Sequence, residues 1–259
     1  MEFNDVTALV TGASGGIGEE FAIQLARRGA NLILVARRAD KLSALRDTLL
    51  ARHPGIVVDV LAADLAVPGS GAELASGVSE LGRTVDVLVN NAGVGLHGDF
   101  VRQDPDANAG QIQLNCGTLV DLTARFLPPM VQRRQGVVIN VASTAAFQPT
   151  PGMAVYGATK AFVLSYTEAL WQECKGTGVT ILALCPGATE TEFFERTGEQ
   201  FLTDGRQTSK QVVDTAFSAL GKSSPTVVSG LRNNLLAAGY RITPRKLMLT
   251  VSERLLKSN

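Results

Sequence analysis

Asp5-Val6-Thr7-Ala8-Leu9-Val10-Thr11-Gly12-Ala13-Ser14-Gly15-Gly16-Ile17-Gly18 is the stretch on which the fold turns. Its first six residues form an apolar, β-branched run that reads as a buried strand. A glycine-rich turn follows at once, with the spacing G-x-x-x-G-x-G over Gly12, Gly16 and Gly18. Beyond it Phe21, Ala22, Leu25 and Ala26 recur at helical spacing. Strand, glycine turn and helix together bring a pyrophosphate to a helix N-terminus, where free N–H groups and the helix dipole favour negative charge. Glycines let the backbone turn tightly and leave room for a phosphate that a Cβ would exclude.

Further apolar runs read as strands at Asn31–Val35, Val57–Leu61, Asp86–Asn90, Val137–Val141, Val179–Cys185 and Thr226–Ser229. Helical patterns cover about residues 40–52, 70–81, 107–134, 156–175 and 209–221. This alternation predicts an α/β fold, a doubly wound parallel sheet in three layers α/β/α. The length, 259 residues, fits a single domain. Ligands in such sheets bind beyond the strand C-termini, at the switch in strand order. Gly12, Arg37, Asp64, Asn90, Ser143 and Pro186 all fall at or just past the end of a predicted strand.

Composition narrows the function classes. The 24 basic and 24 acidic residues cancel, so no electrostatic argument for nucleic acid arises. Cys116, Cys174 and Cys185 form no CxxC pair and no metal-ligand cluster, and read as reduced thiols of a cytoplasmic protein. Glu2 and Asp5 break the pattern of a signal peptide. The uncharged stretch 135–159 contains Asn140, Gln148, Pro149 and Pro151 and makes a poor membrane span.

Val155-Tyr156-Gly157-Ala158-Thr159-Lys160 sets a phenol and an amine four residues apart, on one helix face. A cation beside a phenol favours the phenolate, so Lys160 is expected to lower Tyr156 from the ordinary value of about 10. Such a phenol can exchange protons near neutral pH as a general acid or base. Ser143 follows a strand and is placed to hydrogen-bond a developing oxyanion, though Ala142-Ser143-Thr144 also reads as a plain turn. Leu34-Val35-Ala36 runs into Arg37-Arg38 without the acid that would accept from a ribose 2′-hydroxyl. Guanidinium groups grip a 2′-phosphate through paired hydrogen bonds. This favours NADP(H) over NAD(H), mainly through Arg37; the alternative is two solvated helix-cap charges.

Together these features resemble the short-chain dehydrogenase/reductase family in its compact form, similar to ketoacyl- and hydroxysteroid-type reductases. The resemblance runs from about Val6 to Val228. It rests on the glycine motif, Asp64, Asn90-Asn91-Ala92-Gly93, Asn115, Ser143, Tyr156 with Lys160, and Pro186-Gly187. It implies a Rossmann fold and hydride transfer between nicotinamide and a carbonyl or carbinol carbon. Tyr156 would move the proton, Lys160 would hold the nicotinamide ribose, and Asn115 would bend its helix and hold a water leading to Lys160. The resemblance also implies cofactor contacts at Gly12, Ser14, Gly16, Ile17 and Gly18. Others follow at Asp64 and Leu65 beside the adenine, at Asn90, Asn91, Ala92 and Gly93 beside its ribose, and at Pro186, Gly187, Thr189 and Thr191 near the carboxamide. Asp64 reads equally as a helix N-cap, and Asn90-Asn91 as a brace for the sheet. Thr189 stands where the family usually has Ile or Val, a change that a backbone contact survives. A homodimer or homotetramer is implied through 107–134 and 156–175.

Residues 188–208, with Phe193, Phe194, Gly198, Phe201, Leu202 and Gly205, read as a substrate lid. With Val94, Leu96, Phe147 and Met153 they suggest an apolar pocket for a ketone or secondary alcohol on a bulky molecule, such as a steroid or 3-oxoacyl chain. The same aromatics also read as core. His97 is either a substrate contact or an exposed loop residue. Residues 231–259 read as a basic helical extension, with Arg232, Arg241, Arg245, Lys246, Arg254 and Lys257 against Glu253. It suits an anionic membrane surface or an acidic acyl carrier, or else closes the pocket or joins subunits. The alternative function is a dinucleotide-binding regulator without turnover. A regulator is expected to have lost part of Ser143, Tyr156 and Lys160, and all three are present.

Overall fold

Seven strands carry the alternation: β1 (Thr7–Thr11), β2 (Asn31–Ala36), β3 (Val58–Ala62), β4 (Val87–Asn90), β5 (Gly136–Val141), β6 (Val179–Cys185) and β7 (Thr226–Val228). In the computed structural model, which describes residues 2–193, 205–240 and 243–256, they pair in parallel in the order β3-β2-β1-β4-β5-β6-β7. The chain leaves β1 toward one edge and returns beside it as β4, so the strand order switches between β1 and β4. That switch is where a doubly wound sheet opens a crevice.

Successive side chains of a strand point to opposite faces, and both faces are covered here. Ala8 and Val10 of β1 pack with Phe21 and Leu25 of α1 (Gly16–Ala26) and Leu42 and Leu49 of α2 (Ala39–Arg52). Val212 and Val213 join them, while Leu9 turns to Leu74, Val78, Leu122 and Met130 on the other face. Those residues belong to α3 (Ser70–Glu80) and α5 (Leu119–Arg133). Beside them α6 (Ala154–Glu173) buries Val163 and Leu164 against β6.

The single helix expected over 107–134 is instead α4 (Pro105–Ile112), a π turn (Gln113–Thr118) and α5. Asp104 caps α4 by accepting from the Asp106 amide at 3.0 Å, with Pro105 in the first turn. A π turn inserts one residue into the helical repeat, and such insertions are frequent at functional sites. Asn115 lies in it.

The chain continues through α7 (Ser209–Ala219), α8 (Leu231–Tyr240) and α9 (Arg245–Leu256). The two C-terminal helices leave Leu231, Leu235, Leu236, Leu247, Leu249 and Val251 exposed. Among the described residues no helix is long and apolar enough to cross a membrane. The two stems of the expected lid pair: the Glu190 amide donates to the Gln207 carbonyl, and the Gln207 amide to the Ala188 carbonyl, each at 2.9 Å. Residues 194–204 of that segment lie outside the described residues, with Phe194, Gly198, Phe201 and Leu202, as do Arg241, Lys257 and the side chain of Arg254.

Candidate active site

A cleft of about 610 Å³ runs along the C-terminal ends of β1, β2, β4, β5 and β6. Its floor is set by one hydroxyl at the strand switch. Thr11 Oγ1 donates to the Val89 carbonyl at 3.1 Å and accepts from the Asn91 and Ala92 amides at 2.9 and 3.0 Å. Asn91 Nδ2 donates back to the Thr11 carbonyl at 2.9 Å. Gly12 and Gly16 adopt left-handed φ of 68° and 60°, which other residues rarely take. A Cβ at Gly12 would stand 2.7 Å from Asn91 Nδ2, and one at Gly16 2.8 Å from Thr191 Cγ2. α1 starts at Gly16 with no side-chain cap on its first amides. A tight glycine cradle at an uncapped helix N-terminus fits the pyrophosphate of a dinucleotide.

Gly12, Ser14, Gly16, Ile17, Arg37, Arg38, Asp64, Leu65, Asn91, Ala92, Gly93, Ser143, Tyr156, Lys160, Pro186, Gly187, Thr189 and Thr191 all line this cleft. Three expected residues stand behind it. Gly18 packs under the Gly12 carbonyl, where a side chain would collide. Asn90 braces the sheet, donating to Thr123 Oγ1 at 3.1 Å and Asn140 Oδ1 at 2.9 Å. Asn115 sits behind Gly93, accepting from the Val94 amide and donating to the Val94 carbonyl and Thr159 Oγ1 at 2.9–3.0 Å. It therefore ties the 93–94 segment to α6. Asp64 does not cap α3, which begins at Ser70; its carboxylate accepts from the Ala66 amide at 3.0 Å.

The two arginines differ in setting. Arg37 is exposed at the rim. Arg38 is held in place, with Nη2 donating to Ser14 Oγ and the Ser14 carbonyl at 3.0 and 3.1 Å. Its Nη1 pairs with Glu192 Oε2 at 2.8 Å, and Lys41 Nζ with Glu192 Oε1 at 2.7 Å. The Lys41 ammonium, with Arg38 beside it, holds the Glu192 carboxyl down at about 2. Nothing in the residue spacing pointed to Glu192.

Tyr156 and Lys160 occupy the first two turns of α6, facing Ser143 at the end of β5. Lys160 Nζ donates to the Val141 carbonyl at 2.7 Å and lies 5.8 Å from the centre of the Tyr156 ring. Burial pushes the Tyr156 phenol up to about 12, with the Ser143 hydroxyl pulling it down. Burial also pulls Lys160 down to about 8. The expectation that Lys160 makes Tyr156 acidic is thus overturned in the free protein. Desolvation penalises both charged forms, and the amine is turned to a carbonyl rather than to the phenol oxygen. The Cys185 thiol is pushed up to about 12 by the same burial, which leaves it inert.

At the far end Val94, Leu96, Met153 and Phe193 form an apolar wall, with the Phe193 and Tyr156 rings 5.3 Å apart. Phe147 instead packs with Ala142 and Val163. His97 lies outside the lining, against Gly152. Sequence reading missed Gln111, Gln148 and Thr150, which also line the cleft. Gln111 is one helical turn before Asn115, a spacing that could have found it.

A parallel sheet with a glycine cradle at its switch point, and a half-buried Ser143 and Tyr156 with the buried Lys160 beside it, is the arrangement of a dinucleotide-binding α/β protein. The short chain dehydrogenase family model matches residues 6–201, and the chain belongs to that family. Its relatives include a very-long-chain 3-oxoacyl-CoA reductase of Emericella nidulans, 35% identical over 178 residues. That match takes in 67% of this chain and about half (51%) of the relative's length. A short-chain dehydrogenase from Sphingobium yanoikuyae, solved in complex with NADPH, superposes with a TM-score of 0.83 at 35% identity, covering 91% of this chain and 94% of its own. A bulky-bulky ketone specific alcohol dehydrogenase from Comamonas testosteroni gives 0.79 at 32% identity, covering 92% and 93%. Another structural relative is solved with NAD.

Proposed function

We propose that this enzyme interconverts a ketone and a secondary alcohol on a bulky apolar molecule, using NADP(H). One observation carries the reading: Ser143, Tyr156 and Lys160 lie in one cleft between an uncapped glycine turn and an apolar wall. When bound, the nicotinamide supplies or takes up the hydride. Tyr156 donates the proton to the carbonyl oxygen in reduction and removes it from the hydroxyl in oxidation. Ser143 hydrogen-bonds the same oxygen as charge grows on it. Lys160, as an ammonium, steadies the phenolate left on Tyr156 and holds the ribose hydroxyls. Asn115 is a positioning residue, through its bonds to Val94 and Thr159.

Gly12, Ser14, Gly16 and Ile17 receive the pyrophosphate. Asp64, Leu65, Asn91, Ala92 and Gly93 flank the adenosine, and Pro186, Gly187, Thr189 and Thr191 the carboxamide. Arg38, backed by Arg37, takes the 2′-phosphate; its clamp on Ser14 and the missing acid after β2 support NADP(H) over NAD(H). The apolar wall and the long-chain and bulky-ketone relatives support a lipid-like or acyl substrate. Exposed Ile112 and Phe162 on α4 and α6 support a homo-oligomer through those helices. Three free cysteines support a cytoplasmic setting.

A panel of bulky ketones and secondary alcohols, followed by NADPH absorbance with NADH in parallel, tests this. Turnover is expected with NADPH and lost in Tyr156→Phe while cofactor still binds. Full turnover by that variant would overturn the proton-transfer role.

A further inference from the structure

Glu192 spans the mouth of the cleft at its dinucleotide end. One carboxylate oxygen is on Arg38 and the other on Lys41, each within 2.8 Å. The other guanidinium nitrogens of Arg38 are on Ser14, at 3.0–3.3 Å. The carboxyl group lies 3.8 Å from where a Cβ of Gly15 would stand, and the neighbouring Thr191 methyl covers Gly16. Glu192 is therefore tied to the glycine turn through Arg38 and to α2 through Lys41.

We propose that Glu192 is a specificity residue that acts as a built-in stand-in for the cofactor's 2′-phosphate. Its carboxylate holds Arg38 and Lys41, yields them to NADP(H), and keeps them against NAD(H). This rests on the NADP(H) reading above.

Charge decides the competition. A phosphate monoester brings close to two negative charges and three acceptor oxygens, a carboxylate one charge and two oxygens. A ribose hydroxyl brings no charge and cannot displace the carboxylate. The pairs are also weak enough to exchange: their side chains are 31–45% exposed, and exposed pairs contribute little. A fully buried clasp would not open for a ligand.

The test is calorimetric binding of 2′,5′-ADP, 5′-AMP, NADPH and NADH to wild type, Glu192→Gln, Glu192→Asp, Arg38→Gln and the Arg38→Gln/Glu192→Gln double variant. Glu192→Gln is expected to tighten 2′,5′-ADP and NADPH by about threefold to tenfold, the scale of two exposed ion pairs, and to leave 5′-AMP and NADH unchanged. Aspartate, too short to span both cations, is expected to fall between. The gain is expected to shrink in high salt and in the Arg38→Gln background. Unchanged or weakened NADPH binding in Glu192→Gln would overturn the competition. Failure of the underlying cofactor reading looks different: Arg38→Gln would then leave the NADPH-to-NADH affinity ratio at its wild-type value.

Discussion

Tyr156 and Lys160 lie at the dry end of the cleft, and Glu192, Arg38 and Lys41 at its wet end, and the two sets titrate in opposite senses. At the dry end burial drives both groups toward neutrality, the phenol up to about 12 and the amine down to about 8. At the wet end pairing with Lys41 and Arg38 drives a carboxyl deeper into its charged form, down to about 2. Both sets contain a cation close to an acid. The difference is solvent: where water is excluded, the cost of charge exceeds the attraction between partners, and where water remains, the attraction decides. A proton-transfer site benefits from the first regime, because groups near neutrality can gain or lose a proton as charge arrives. A phosphate-recognition site benefits from the second, because its charges are fixed before the ligand comes.

The contrast breaks most visibly at Tyr156. Removing its hydroxyl in Tyr156→Phe is expected to lower kcat about 10²- to 10⁴-fold, the range for a lost general acid, with NADPH affinity unchanged. Equal losses in kcat and in cofactor affinity would place Tyr156 in binding rather than in proton transfer.

Lys160 tests the protonation state itself. Its lowered value means that the ammonium is present below about pH 8 and lost above it. For carbonyl reduction kcat/KM is therefore expected to fall as pH rises through about 8, since this ratio reports groups in the free enzyme. Lys160→Met is expected to lower kcat/KM about 100-fold at neutral pH, as loss of one electrostatic stabiliser does, and to abolish that alkaline limb. A limb that survives in Lys160→Met would assign it to another group.

At the wet end the expected effect is smaller and falls on one cofactor only. Arg38→Gln is expected to weaken NADPH about tenfold or more, the scale of hydrogen bonds to a charged group, and to spare NADH. Arg37→Gln is expected to do less, because Arg37 is exposed at the rim while Arg38 is clamped on Ser14. The reverse order would restore Arg37 as the main phosphate ligand.

Much of this layout was legible in the residues, and what escaped has a common cause. Short continuous apolar runs found every strand, because a parallel sheet buried on both faces needs them. Gly12 and Gly16 were legible because left-handed backbone at a turn demands glycine. The π turn was not, since one extra residue shifts the helical repeat too little to show over 28 positions. Asn90 and Asn91 are adjacent and similar, yet one braces Asn140 and the other lines the cleft; alternation across a strand end separates them. The state of Tyr156 was misjudged because spacing says which groups meet, and only burial says how strongly water competes. Glu192 escaped because its partners lie 154 and 151 positions away in the chain, and no local pattern links them.

The smallest prediction concerns stability and isolates the dry end. Lys160 titrates at about 8 in the fold against the ordinary 10.5 in the unfolded chain. Between those values the unfolded chain holds a proton that the folded one lacks, so stability rises with pH. The slope is at most about 1.4 kcal/mol per pH unit, which gives about 1 kcal/mol between about pH 8 and 9. For a chain of this size that is about 2–4 °C in Tm. Tyr156 acts with the opposite sign only above about 10, where the unfolded phenol ionises and the folded one, at about 12, does not. The observable is the Tm of wild type minus that of Lys160→Met, in which the other groups largely cancel. That difference is expected to move in favour of wild type as pH climbs from about 8 toward 9. A constant difference would mean that Lys160 stays charged inside the fold, and the two ends of the cleft would then follow one rule instead of two.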